Sequence, residues 1–223
     1  MSKKITAMIA VRSGSKRVPD KNVRAFAGTS LLDIKVKQLS RSGLFDEIIV
    51  SSDCKKMLDI AGAYYGVTSI KRPSHLATDD VPMNDVYKYL GSLASNDHVC
   101  FTHVTSPLLR DESLEGCVKE YLSMGNDFDS LATVTKLKEY IWHDGTAVNY
   151  DPNNHPRSQD LPDYCALNFA VNIIGKRNMI NKRNIVGSRF KPFFLSREES
   201  VDVDTMLDFE VAQFLYGKTN ARI

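Results

Sequence analysis

Short apolar runs alternate with amphipathic segments along most of this chain, and that rhythm restricts the fold more than any other feature. Residues 5–11, 47–51, 67–70 and 99–104 have the length and composition of buried strands, and residues 31–42, 55–65, 86–95 and 113–124 have helical spacing. The last helix is the best marked. Leu114, Cys117, Val118, Tyr121 and Leu122 share one face, Asp111 is placed to cap the start, and Gly125 stands at the expected stop. Strands that alternate with helices of this length are joined by right-handed crossovers, which gives a mostly parallel sheet. The expected fold is α/β, three-layered and doubly wound, with helices on both faces of the sheet.

Residues 131–135 read as another core strand, and there the rhythm breaks. Residues 138–168 are rich in Asn, Asp, Pro and aromatics without periodicity, and an excursion of that length is expected to serve function or a subunit contact. An apolar run at 169–174, a segment at 192–195 and a closing helix at about 205–216 follow. A chain of 223 residues suits one domain, spanning 1–223 and carrying the excursion.

Charge narrows the choice of partners. Twenty-nine Lys and Arg against 27 Asp and Glu leave a net charge of +2, which gives no support to bulk nucleic-acid or membrane-surface binding, so any electrostatic preference is local. No window approaches a membrane span, and the stretch before Arg12 is too short for a signal-peptide core. Cys54, Cys100, Cys117 and Cys165 have neither zinc nor redox spacing and read as structural thiols. The expectation is a soluble cytoplasmic enzyme.

The chemistry concentrates in three segments. The loop at residues 11–22 follows the first strand, where open α/β sheets bind ligands. Ser13, Gly14 and Ser15 permit a tight turn with exposed amides, and Arg12, Lys16, Arg17 and Lys21 supply cations; a triphosphate needs both kinds of donor. The Walker A and dinucleotide glycine patterns are both absent, and a solvated basic turn also fits this composition. Near the end of the chain, Asp202 and Asp204 alternate in an extended stretch, so their carboxylates face one side and match the oxygen preference of Mg²⁺. A capping box of Thr205 and Asp208 accounts for part of the same segment and leaves Asp202 without a role. The third segment, residues 103–108, places His103, Thr105 and Ser106 at the end of the fourth strand, although a Ser-Pro pair there is also an ordinary turn.

In this order the segments resemble the acylneuraminate cytidylyltransferase family. Its opening block is matched at Arg12, Gly14, Ser15, Lys16, Arg17, Lys21 and Asn22, and its S-S-D block at Ser51, Ser52 and Asp53. Further matches fall at Arg72, Pro73, Leu76, Ala77 and Asp79, at Thr105, Ser106, Pro107 and Leu108, and at Asp202, Asp204, Thr205, Asp208 and Glu210. The resemblance implies a Rossmann-like nucleotidyltransferase in which a sugar hydroxyl attacks the α-phosphate of CTP and pyrophosphate leaves. It implies that Arg12, Lys16 and Lys21 hold the phosphates, that Arg72 helps define the nucleotide cleft, and that Asn22 lies near the ribose. Asp202 and Asp204 would bind Mg²⁺, and the chain would act as a homodimer, with the 138–168 excursion as acceptor and contact arm.

The departures fall on the acceptor side. His103 stands for the family's usual Gln, Val104 for Pro and Leu109 for Arg. Arg157-Ser-Gln-Asp-Leu-Pro162 replaces R-R-Q-D-L-P, so Ser158 stands where the sialate enzymes carry an arginine for the sugar carboxylate. Phe169 replaces a glycine and Asn172 an aromatic, and His103, Arg157, Gln159 and Asn168 remain as acceptor-binding candidates. Two alternatives stand beside an acidic-sugar acceptor: CMP transfer to a phosphonate or other small acid, and a nucleotide-binding protein without catalysis.

Overall fold

The computed structural model describes residues 3–220. Its strands are β1 (Ile5–Ala10), β2 (Glu47–Ser52), β3 (Val67–Lys71), β4 (His98–Thr102), β5 (Ser130–Leu137), β6 (Trp142–His143), β7 (Thr146–Ala147), β8 (Tyr164–Gly175) and β9 (Phe190–Phe194). Its helices are α1 (Leu31–Ser42), α2 (Lys55–Gly62), α3 (Met83–Leu93), α4 (Asp111–Ser123), α5 (Lys176–Lys182) and α6 (Met206–Asn220).

Seven strands form one sheet in the order β3-β2-β1-β4-β8-β5-β9. All neighbours are parallel except β8, which runs antiparallel to both β4 and β5. The expected mostly parallel α/β sheet is therefore present. Strand order reverses between β1 and β4, and this switch point opens a crevice beyond their carboxyl ends. Alternation along β1 shows why these runs are apolar throughout: Ile5, Ala7 and Ile9 enter one core, and Met8 enters the other. Residues of α1, α2, α4 and α6 fill the first core, and those of α3 and α5 the second.

Several local expectations are refined. Asp111 does not cap α4; Arg110 precedes the helix, and Asp111 is its first residue, accepting hydrogen bonds from Gln38 at 2.9 Å and Arg41 at 2.6 Å. Its charge still lies in the first turn, where the helix dipole favours it. The last helix does carry the capping box, since Asp208 N–H donates to Thr205 Oγ1 at 3.3 Å and Thr205 N–H to the Asp208 carboxylate at 2.7 Å. Helix α5 was not legible in the sequence, because it is short and buries only Met179. Cys100 and Cys117 are buried as expected of structural thiols, whereas Cys165 is exposed on β8. The 138–168 excursion holds the β6–β7 hairpin and an aromatic cluster, in which Tyr140 and Tyr150 lie 5.0 Å apart and Trp142 donates to the Tyr150 hydroxyl at 3.0 Å.

One buried cation fixes the switch-point loop. Lys35 of α1 donates to Gln38 Oε1 at 2.8 Å and to the Ser106 carbonyl at 3.2 Å, and burial pushes its ammonium down to about 7. A lysine whose folded pKa lies below its unfolded value favours folding most above the unfolded pKa, and that contribution is lost as pH falls toward 7. Between pH 7 and 10, the wild type is therefore expected to gain stability relative to Lys35→Met. Denaturant melts of both proteins across that range test it, and parallel profiles refute it.

Candidate active site

The loop after β1 turns at Gly14, whose φ of 76° suits glycine and carries residues 12–22 across the switch point. A cleft of about 410 Å³ opens there, lined among others by Arg12, Lys16, Arg17, Lys21, His103 and Thr105. The sequence motifs at residues 11–22 and 103–108 thus share one crevice.

The carboxylate motif joins them through Lys21. Its ammonium donates to the Val203 carbonyl at 2.7 Å and lies 3.4 Å from Asp204, and the Arg17 guanidinium meets the same carboxylate at 2.9 Å. The Val203 amide donates to the Thr105 carbonyl at 2.8 Å, and Thr105 also hydrogen-bonds Asp202. Asp202 is exposed, and its Thr105 bond holds it beside the crevice. Loss of water around it, followed by repulsion from Asp204, raises its carboxyl above the usual range despite the Thr105 bond.

Other expected residues have more specific places. Asn22 Nδ2 donates to the Arg12 carbonyl at 3.1 Å and so braces the loop. Ser13 gives its amide to Asp53 at 2.9 Å and its hydroxyl to the same carboxylate. Partial burial would raise the Asp53 carboxyl, but those two bonds outweigh it and hold it below the usual range. Arg72 is buried beneath the cleft, where its guanidinium donates to the carbonyls of Val11 at 3.1 Å and Ser51 at 2.9 Å. It shapes the floor from below, and burial lowers its pKa. Ser106 is buried and offers its carbonyl to Lys35.

Asp79 had a place in a motif but no role assigned from the sequence. Its carboxylate pairs with Arg12 at 2.6 Å and Lys16 at 2.7 Å. The Lys16 hydrogen bond, then that of Arg12, holds the Asp79 carboxyl below its usual value. Asp79 and Asp204 together thus hold four cations of the first loop through ion pairs that an incoming polyphosphate can exchange.

The acceptor candidates separate. His103 lines the cleft with its ring 5.1 Å from Phe101 and 5.9 Å from Phe169; burial, then Lys35 and Lys21, pushes it down to about 4, so it is neutral at pH 7. Asn168 donates to Thr135 Oγ1 at 3.1 Å and Ser200 Oγ at 3.3 Å and ties β8 to its neighbours. Arg157 and Gln159 lie on a turn of the excursion, where Arg157 pairs with Asp160 at 2.8 Å; neither lines the cleft. A second groove, of about 570 Å³, runs between α1 and the start of α4, but its Arg41–Asp111 and Arg110–Glu198 pairs already match charge with charge.

A cation-rich loop beside two carboxylates at the switch point of such a sheet is an arrangement that nucleotidyl transfer can use. The fold matches CMP:2-keto-3-deoxy-manno-octonic acid synthetase complexed with CTP at a TM-score of 0.72, over 97% of this chain and 100% of that one, with 14% identity. It matches 4-diphosphocytidyl-2C-methyl-D-erythritol synthase from Anaerococcus prevotii at 0.70, over 96% of each chain, with 15% identity. The sequence profile of the cytidylyltransferases matches residues 6–178, and the chain belongs to that family of CTP-dependent nucleotidyltransferases. It is 27% identical to the pseudaminic acid cytidylyltransferase of Campylobacter jejuni over 94% of both chains. It is 29% identical to the CMP-N,N'-diacetyllegionaminic acid synthase of Legionella pneumophila, over 95% of this chain and 96% of that one. The N-acylneuraminate cytidylyltransferase of Streptococcus agalactiae is 28% identical over 91% of this chain but only 51% of its own length. No helix among the described residues is long and apolar enough to cross a membrane.

Proposed function

We propose that this chain transfers CMP from CTP to a nonulosonic acid, an acidic sugar of the sialate type, and releases pyrophosphate. The observation that carries the reading is the Lys21 junction, which brings the cationic loop and the Asp202/Asp204 segment to one crevice. Arg12, Lys16 and Lys21 hold the triphosphate as it displaces Asp79 and Asp204 from their cations. In-line transfer to an acceptor hydroxyl needs positioning and charge stabilisation more than a nucleophilic side chain.

Asp202 and Asp204 suit Mg²⁺. They are hard oxygen donors, and mutual repulsion contributes to the raised Asp202 carboxyl, a repulsion that a cation relieves. A magnesium ion held by these two carboxylates and phosphate oxygens would neutralise charge on the triphosphate and activate the attacking oxygen. Asp208 is engaged in the helix cap and is left out of this set.

We further propose a cytoplasmic homodimer whose exposed Trp142 and the aromatic cluster around it form the contact arm. A size measurement in solution, with Trp142→Ala as control, tests this.

The acceptor is expected to differ from N-acetylneuraminic acid, because Ser158, Phe169 and Asn172 depart from the sialate pattern. Purified enzyme with CTP and Mg²⁺ should release pyrophosphate weakly or not at all with N-acetylneuraminic acid, compared with pseudaminic or N,N'-diacetyllegionaminic acid. Saturable turnover of N-acetylneuraminic acid at sub-millimolar KM refutes that specificity, and no release with any acidic sugar refutes the function.

A further inference from the structure

Residues 103–109, which join β4 to α4 and carry Thr105, belong to neither a helix nor a strand, so no regular ladder fixes their course. Two side chains of α1 grip the segment instead. Lys35 Nζ donates to the Ser106 carbonyl at 3.2 Å and to Gln38 Oε1 at 2.8 Å. Gln38 Nε2 donates in turn to the Leu109 carbonyl at 2.7 Å and to Asp111 Oδ1 at 2.9 Å. The pair therefore holds the segment near its middle and again where it enters α4.

Lys35 is 1% exposed and Gln38 5%, and Lys35 takes part in no ion pair among the described residues. Burying an ammonium without a carboxylate partner costs free energy, and a methionine of similar length would fill the space without that cost. What the ammonium supplies and a thioether cannot is a fixed place for the Ser106 carbonyl. The residue before it is part of the site. The Thr105 carbonyl accepts the Val203 amide at 2.8 Å, and its side chain hydrogen-bonds Asp202. Contacts thus run without a break from α1, through Ser106 and Thr105, to the carboxylate segment.

We propose that Lys35 and Gln38 are positioning residues for the transfer step: from α1 they hold the peptide that follows Thr105, so that the Thr105 hydroxyl keeps the Asp202 carboxylate in place beside the crevice. The inference rests on the cytidylyl transfer proposed above and deepens it. Neither side chain lines the nucleotide cleft, so both act through Thr105 and not by touching CTP. A reacting constellation displaced by about 1 Å can lose about 10²-fold in rate, even when the change lies far from the chemistry. The loss therefore falls on turnover, and binding of the nucleotide to the cationic loop is left as it was.

The test compares wild type with Lys35→Met and Gln38→Met, which keep the side-chain length and remove the hydrogen bonds, each alone and combined with Thr105→Val. Pyrophosphate release is measured with N-acetylneuraminic, pseudaminic and N,N'-diacetyllegionaminic acids, and hydrogen exchange is followed at the Val203 amide. Each α1 variant is expected to lower kcat by about 10–100-fold while the KM for CTP stays as in wild type. In the Thr105→Val background neither should cause further loss, because residues that act through one hydroxyl do not add. The Val203 amide should exchange faster by about tenfold or more, beyond any change in the amides of β1. Wild-type kcat in either folded variant, losses that multiply with that of Thr105→Val, or unchanged protection of Val203 overturns the inference and leaves cytidylyl transfer standing. Loss of folding in both variants shows a purely structural role and overturns it as well. A wild type that releases no pyrophosphate with any of the three acids overturns both readings.

Discussion

Asp202→Asn is expected to lower kcat by about 10²–10³-fold, as when a group stabilising charge in the transition state is removed, while the protein stays folded. Asp202 is exposed, hydrogen-bonds Thr105 and takes part in no ion pair among the described residues, so little of the fold depends on it. Its folded pKa is raised, so the native state binds this proton more tightly than the unfolded chain does. At pH values above that pKa the ionised carboxylate therefore opposes folding, and stability returns as pH falls through it. Asn removes the opposing charge, so the melting temperature of the variant at pH 7 should equal or exceed that of the wild type.

Asp204→Asn should lose activity to a similar extent. Thr205 and Asp208 form the cap of α6 between themselves, so the helix should survive this change too. Thermal melts paired with pyrophosphate release across a Mg²⁺ titration decide the matter. If Asp202→Asn keeps wild-type turnover and metal dependence, the carboxylate pair is a structural turn and the proposed mechanism is wrong.

Arg12→Ala should reduce kcat/KM for CTP by about 10²-fold or more, as a contact to the transferring phosphates is lost. Stability should change little. The Arg12–Asp79 pair is close at 2.6 Å, but both side chains are about 40% exposed, and pairs of that kind contribute about 0–1 kcal/mol. Lys21→Ala should show a comparable kinetic loss together with a lower melting temperature. Its ammonium is mostly buried and donates a charge-assisted bond to the Val203 carbonyl, a type that contributes about 1.5–3 kcal/mol. The contrast would separate the two cations: Arg12 would act chiefly on the ligand, whereas Lys21 also fastens the last motif to the first. Wild-type kinetics in both variants would remove the phosphate assignment of the loop.

The strands and helices that build the switch point were legible because each leaves a local imprint. Strands buried on both faces must be apolar throughout, and helices packed on one side repeat their apolar residues at helical spacing. By itself the sequence therefore determined α/β alternation, the cationic turn around Gly14, the alternating Asp202 and Asp204, and the Thr205–Asp208 cap. Each of these depends on residues a few positions apart.

What only the tertiary structure decided involves residues far apart in the chain. β8 enters antiparallel between β4 and β5, Lys21 reaches Val203 and Asp204, and Asp79 meets Arg12 and Lys16. A lone carboxylate such as Asp79 looks the same in sequence whether it faces water or two cations, because long-range pairing imposes no periodicity. The left-handed backbone at Phe169 is hidden for a related reason. A phenylalanine does not choose that conformation locally, and the bulge between β5 and β8 imposes it.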